Sequence, residues 1–362
     1  MKFSKIARLI RSPWGSNSVN ETMTISADDL LRSINICPVC RGTSFCPSIP
    51  ALMNQQHSHY ERSWASHFGL TAEELFKGVS EILCTRCGCV FNSPYFEPYV
   101  EDKLYRDVTP RHRAGWQNWN ALISGSKPTS RSRHKIADYL INRFPKVARY
   151  AEIGCPFQGI LPLLSTESDR RAAIRRSATR GNTPGVALLS HLERFVHRVR
   201  YRDRSGDILS TSPNIDAKSF WAPERFMISE PSGNRWQSGC IQSGASCLGV
   251  VGSLANVHSL SLDSLPSLVE SRGLLDLISV FESLDHVRFP IELLHILCKS
   301  TQRLLIVQHQ ASKANRQHGF GFTGKFLDYL VGEVQPQQVT DLSSRFGNQV
   351  SFVWLLEFNN KI

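Results

Sequence analysis

From about residue 147 onward, short apolar runs rich in β-branched residues alternate with segments whose apolar positions recur every three or four residues. The first kind reads as strand and the second as helix. The strands predicted in this way are 147–153, 226–229, 247–251, 275–281, 304–308 and 350–358. Helices are predicted at 290–298 and 324–331. Another, over 132–144, precedes the first strand and is closed by Pro145. Such alternation predicts an α/β fold: a doubly wound, mostly parallel, Rossmann-like sheet with helices on both faces. One interval, 167–221, breaks the rhythm, being too long for an ordinary connection. It carries Arg170, Arg171, Arg175, Arg176, Arg180, Arg194, Arg198, Arg200, Arg202 and Arg204. It reads as an insertion, either a lid or anion-docking surface or a solvated basic loop.

Ahead of the sheet the pattern is different. Residues 1–18 are basic, with no acid before Glu21, and Phe3, Ile6 and Ile10 fall on one helical face. This has the character of an organelle transit peptide, with a frayed basic terminus as the alternative. Ser26 is positioned to cap a short helix at 27–31. Residues 1–35 are therefore a tail and short helix, 36–97 a cysteine module, 98–145 a connector with a helix, and 146–362 the sheet domain.

Composition changes this picture in three ways. The apolar share is 41%, and no apolar run approaches the roughly 18 residues of a membrane span. A soluble protein is expected. The net charge of +11 favours anionic partners. Six of the ten cysteines lie between Cys37 and Cys89 in two tight groups, while Cys155, Cys240, Cys247 and Cys298 are scattered among apolar neighbours. Clustered thiols in a chain of this size indicate metal ligands in a reducing, cytoplasmic compartment rather than disulfides.

The two groups are Cys37-Pro-Val-Cys40-Arg-Gly and Cys84-Thr-Arg-Cys87-Gly. A two-residue spacer lets both thiolates of a turn reach one metal, and a following glycine lets backbone amides approach the sulfurs. Cys37, Cys40, Cys84 and Cys87 together make the four-thiolate set that zinc prefers, in a zinc-ribbon-like module whose site is structural because no coordination position is left open. The 43 residues between the pairs imply a loop with elements of its own. Cys46 and Cys89 are additional thiols, and His57, His59 and His67 have no spacing that demands a metal.

The first sheet strand runs into Tyr150-Ala-Glu152-Ile-Gly154-Cys155-Pro156-Phe-Gln158-Gly159, a glycine-bearing strand-to-helix turn that lets a ligand approach the backbone. Glu230, after the second strand, occupies the place where an acid grips ribose hydroxyls in nucleotide-binding sheets.

These segments resemble class I S-adenosylmethionine-dependent methyltransferases with an N-terminal zinc-binding domain, including the sugar C-methyltransferase group. The likeness covers about residues 37–358 apart from the basic insertion. It rests on the paired CxxC turns, on Ala151-Glu-Ile-Gly-Cys155, on Ser229-Glu-Pro-Ser232, and on the long segment 275–290, Leu-Asp-Leu-Ile-Ser-Val-Phe-Glu-Ser-Leu-Asp-His-Val-Arg-Phe-Pro. The resemblance implies that Glu152, Gly154, Cys155 and Gly159 line the methionine end of the cofactor and that Glu230 holds its ribose. Gly252, Ser253 and Leu254 would flank adenine, just after the third strand. Phe281 and Glu282 would lie beside the sulfonium. His286 is the candidate catalytic base or a structural support, and Tyr105 a second candidate facing substrate. The implied acceptor is a small, anionic or nucleotide-linked sugar-type molecule. Nucleic acid is disfavoured, because the arginines lack the interleaved aromatics of a stacking platform. Two family glycines are replaced by Pro156 and Gln158, and Asp285 stands where the family has glutamate. The alternative is thus a catalytically degenerate relative, a scaffold docking through its basic insertion.

Overall fold

The computed structural model describes residues 26–48, 59–97, 100, 104, 128–154, 159–164, 221–222, 224–229, 257–287, 289–309, 320–346 and 351–359. Among these, the chain begins with helix α1 (Ala27–Leu30) and strands β1 (Leu31–Arg32) and β2 (Phe45–Pro47). Helices α2 (His59–His67) and α3 (Ala72–Leu75) follow, then strands β3 (Ser80–Cys84), β4 (Cys89–Ser93) and β5 (Tyr95–Phe96). The α2–α3 pair is the loop structure that the wide cysteine separation implied. Its core gathers Trp64, Leu75, Phe76, Tyr95 and Phe96 with Leu104.

Helix α4 (Pro128–Arg143) leads into the main sheet. The strands of that sheet are β6 (Arg149–Gly154), β7 (Glu224–Ser229), β8 (Val257–Ser261), β9 (Leu277–Phe281), β10 (Arg303–His309), β12 (Gln338–Asp341) and β13 (Ser351–Glu357). Strand β11 (Phe320–Phe322) lies between β10 and β12 in sequence but belongs to another sheet. Helices α5 (Leu265–Arg272), α6 (Pro290–Ser300), α7 (Lys325–Val334) and α8 (Ser343–Phe346) complete the described elements.

The spatial order is β12-β13-β10-β9-β6-β7-β8. Strands β6 through β10 pair in parallel, and β13 is inserted antiparallel between β10 and β12. The chain runs outward from β6 through β7 to β8, then returns to lay β9 on the opposite side of β6. The sheet therefore reverses direction between β6 and β9, which pair from Tyr150↔Leu277 to Gly154↔Phe281. All five residues of β9 are buried, as a central parallel strand covered on both faces requires. One face packs Ile136, Ala137 and Leu140 of α4 against Tyr150, Leu277, Phe281 and Leu305. The other packs Leu293, Leu294 and Leu297 of α6 against Ile153, Ile278, Val280 and Ile306. Asp276, just before β9, accepts the amides of Ala148 and Arg149, each at 2.8 Å, and so aligns the amino ends of β9 and β6.

The expected first, second, fourth, fifth and last strands all exist, with ends moved by one or two residues. The segment expected to form the third, 247–251, lies outside the described residues; β8 at Val257–Ser261, which pairs with β7, was not among the expected strands. Its sequence, Val-His-Ser-Leu-Ser, offers one buried apolar residue to each face, Val257 and Leu260, and is a weaker signal than the apolar run upstream. Most of the basic insertion, 167–220, also lies outside the described residues. Among the described residues no helix is long and apolar enough to cross a membrane.

Candidate functional site

Two sites emerge, one in the cysteine module and one at the carboxyl edge of the main sheet. In the module the thiols of Cys37, Cys40, Cys84 and Cys87 lie within 4.8 Å of one another, and all four residues are buried. Cys37 Sγ is 3.7 Å from Cys87 Sγ, and Cys40 Sγ is 3.5 Å from Cys84 Sγ. A tetrahedral ion with metal–sulfur bonds of about 2.3 Å sets its sulfurs roughly 3.8 Å apart, so the cluster fits such an ion.

The two turns are built alike. The residue after each second cysteine is left-handed, Arg41 with φ 59° and Gly88 with φ 72°. Each donates its amide to the carbonyl of the first cysteine, Arg41 to Cys37 at 3.0 Å and Gly88 to Cys84 at 2.9 Å. In the first turn the positive φ thus falls on Arg41, while Gly42 donates its amide to Cys40 Sγ at 3.4 Å. Sulfur hydrogen bonds from Cys87 and then Cys89 hold Cys37 low, whereas burial lifts Cys40 to about 11 and the neighbouring Cys37 lifts Cys87. A divalent cation supplies the charge that such a set needs to ionise fully. Cys89 is buried beside the cluster, and Cys46 sits half-buried in β2.

The second site lies where the sheet reverses, the place at which open α/β sheets bind ligands beyond their strand ends. Glu152, second from the last position of β6, is 1% exposed. Its Oε2 accepts from the Tyr150 hydroxyl at 2.8 Å and from the amides of Ile160 and Leu161 at 2.8 and 3.1 Å. Among the described residues its Oε1 has no hydrogen-bond partner. The carboxyl group thereby ties the end of β6 to the segment that begins at Gly159. A Cβ at Gly159 would meet Glu152 Oε1 at 1.8 Å, so the absence of a side chain there is what lets the carboxylate in. Burial raises the Glu152 carboxyl to about 7, against the opposing pull of the two amides, Tyr150 and the Arg133 charge.

Across the reversal, Glu282 follows β9 with φ 44°, a left-handed conformation rare for a side chain of this kind. Its amide donates to the Val307 carbonyl at 2.7 Å. Its carboxylate pairs with Arg133 Nη2 at 2.5 Å, and both side chains are 6% exposed. The Arg133 guanidinium also stands 4.7 Å over the Phe281 ring. Arg133 comes from α4, ahead of the sheet, and the sequence reading missed it. Its only sequence signal was a lone cation on the inward face of the predicted helix, among Ile136, Ala137 and Leu140. Beyond Glu282, residues Leu284–His286 form a 3-10 turn. The Leu284 amide donates to Gln308 Oε1 of β10 at 3.1 Å.

The structure thus gathers Glu152, Gly154, Gly159, Phe281 and Glu282 at one point of the sheet edge, with the backbone of His286 on the turn beyond. Cys155, Glu230, Tyr105, Gly252, Ser253 and Leu254 lie outside the described residues, as does the His286 side chain. Residues 252–254 precede β8 in the chain, and the residues that follow β8 are Leu262 and the exposed Asp263.

No protein-family model matches the chain, and none of the curated proteins matches it. Among solved structures it is similar to the N-terminal domain of EvdMO1 with SAH bound, at 12% identity and a TM-score of 0.34, covering 63% of this chain and 81% of that one. It is similar also to an O-methyltransferase family protein from Burkholderia thailandensis, at 9% identity and TM-score 0.34, covering 73% and 72%. A third is the plantazolicin methyltransferase BpumL in complex with SAH, at 11% identity and TM-score 0.35, covering 71% and 94%.

Proposed function

We propose that this chain is an S-adenosylmethionine-dependent methyltransferase acting on a small, anionic or nucleotide-linked sugar-type acceptor. The observation that carries the reading is the coincidence of the sheet's reversal with the Glu152 carboxyl holding the Ile160 and Leu161 amides on one side and the strained Phe281–Glu282 corner on the other. The cofactor would lie across that edge. Gly154, Cys155 and Gly159 would face its methionine end and Glu230 its ribose. Gly252, Ser253 and Leu254 would border its adenine. Glu152 would act from beneath by fixing the turn. Phe281 and Glu282 would border the sulfonium, with Arg133 balancing the Glu282 charge.

When bound, the cofactor supplies an electrophilic methyl group. The protein's part is to hold a nucleophile in line with the carbon–sulfur bond and to exclude water. A hydroxyl or acidic carbon acceptor needs a base, for which His286 and Tyr105 are the candidates. The net charge of +11 suits a phosphorylated acceptor. The four clustered thiols would hold one structural zinc ion.

The acceptor class is tested by incubating the protein with S-adenosylmethionine and a panel of nucleotide-linked sugars and reading the products by mass spectrometry. A methylated sugar is the expected product. Methylation of RNA but of none of the sugars would overturn the acceptor class.

A further inference from the structure

Strand β11 belongs by sequence to the sheet domain and by pairing to the cysteine module. It extends the module sheet to the order β11-β4-β3-β2, with Phe320 opposite Phe91, Gly321 opposite Val90 and Phe322 opposite Cys89. The segment after it clasps the second cysteine turn. The Thr323 amide and hydroxyl both donate to the Gly88 carbonyl, at 3.2 and 2.8 Å. Lys325 Nζ donates to the Thr85 carbonyl at 2.5 Å. The fit is close: a Cβ on Gly88 would meet Thr323 Oγ1 at 2.5 Å and the Lys325 Cβ at 2.7 Å. The first cysteine turn docks as well, with the Arg41 guanidinium 4.8 Å over the Phe289 ring.

Strand β11 also lies close to the 3-10 turn 284–286 and to β10. Phe320 and Phe322 share one apolar cluster with the four clustered cysteines and with Leu284 and Val287. A single strand therefore joins the sheet beside the second cysteine turn and also lies against the turn that follows Glu282.

We propose that the cysteine module is a positioning element of the crevice: its metal-bound turn fixes β11, and β11 fixes the 284–286 turn at the sheet edge. In this arrangement the metal does more than hold a small module together. Losing it would slacken the Cys84–Gly88 turn, release the Thr323 clasp and loosen the segment that carries His286. The coupling depends on one metal being held by the four thiols, but not on which cofactor or acceptor the crevice takes.

Hydrogen exchange on the full chain tests it through the amides of Leu284 and Val287, which are hydrogen-bonded to Gln308 and to the Leu284 carbonyl. Chelation of the metal, with metal content followed by elemental analysis, should speed their exchange at least about tenfold while amides of β10 and β13 stay protected. A Thr323→Val, Lys325→Ala double variant leaves all four thiols in place and should give the same loosening with metal content unchanged. If chelation melts the entire sheet, the double variant decides. Unchanged exchange at Leu284 and Val287 in the folded double variant overturns the proposal. Protein that holds no metal as purified, yet loosens in the double variant, would refute the metal's part and leave the clasp standing.

Discussion

At the scale of single residues, the carboxyl edge is organised by two buried acids answered in different ways. Glu152 is held by amides and a hydroxyl and lifted by burial, so the folded protein binds its proton more tightly than the unfolded chain does. That contribution to stability is fully present below about pH 4.5 and is lost as pH rises through about 7. A loss of about 3 kcal/mol across that window is the upper expectation, and a Glu152→Gln variant should lack this slope in urea titrations taken at several pH values. Gly159→Ala forces a methyl group into the carboxylate, and the expected cost is about 1–3 kcal/mol in the same assay. Glu282 is answered by a full charge. Arg133→Ala removes the guanidinium that pairs with this buried carboxylate and should cost about 3–5 kcal/mol, whereas an Arg133→Met, Glu282→Gln double variant should recover most of it. The glutamate and glycine of this corner were legible in the sequence because a strand-end motif places them. Arg133 was not, because a cation on an apolar helix face does not by itself point to a partner 149 residues further along the chain.

At the scale of elements, periodicity revealed what is continuous and buried and missed what is short. Strand β9 and helix α6 follow directly from their apolar runs. Strand β11 is three residues long, and Phe-Gly-Phe beside polar neighbours carries no period. It is defined by its partners: β4 on one edge and a row of rings through Phe322, Phe326 and Trp354. Phe322 and Phe326 have centroids 4.2 Å apart, and Phe326 and Trp354 lie 6.2 Å apart. Phe326→Ala opens the middle of that row. The expected cost is about 3–5 kcal/mol, measured by thermal or urea unfolding. Strand β8, which the sheet pairs with β7, was missed for a related reason, since its five residues carry only two apolar side chains, one on each face.

At the scale of the whole molecule, two modules that read as successive domains share one sheet and one apolar cluster across β11. The paired CxxC turns were the most legible feature of the sequence, and their convergence into one four-sulfur cluster was expected from spacing alone. Their attachment to the crevice was not, because the strand that joins them lies some 230 residues further along the chain. The claim on which the functional account turns is that the reversal between β6 and β9 receives a sulfonium nucleoside. Calorimetric titration of the full chain with S-adenosylmethionine and with its demethylated product measures this directly. The account predicts saturable one-to-one binding of both, weakened at least about tenfold by Gly159→Val. Absence of binding at millimolar cofactor, in protein shown to be folded and metal-loaded, would contradict it.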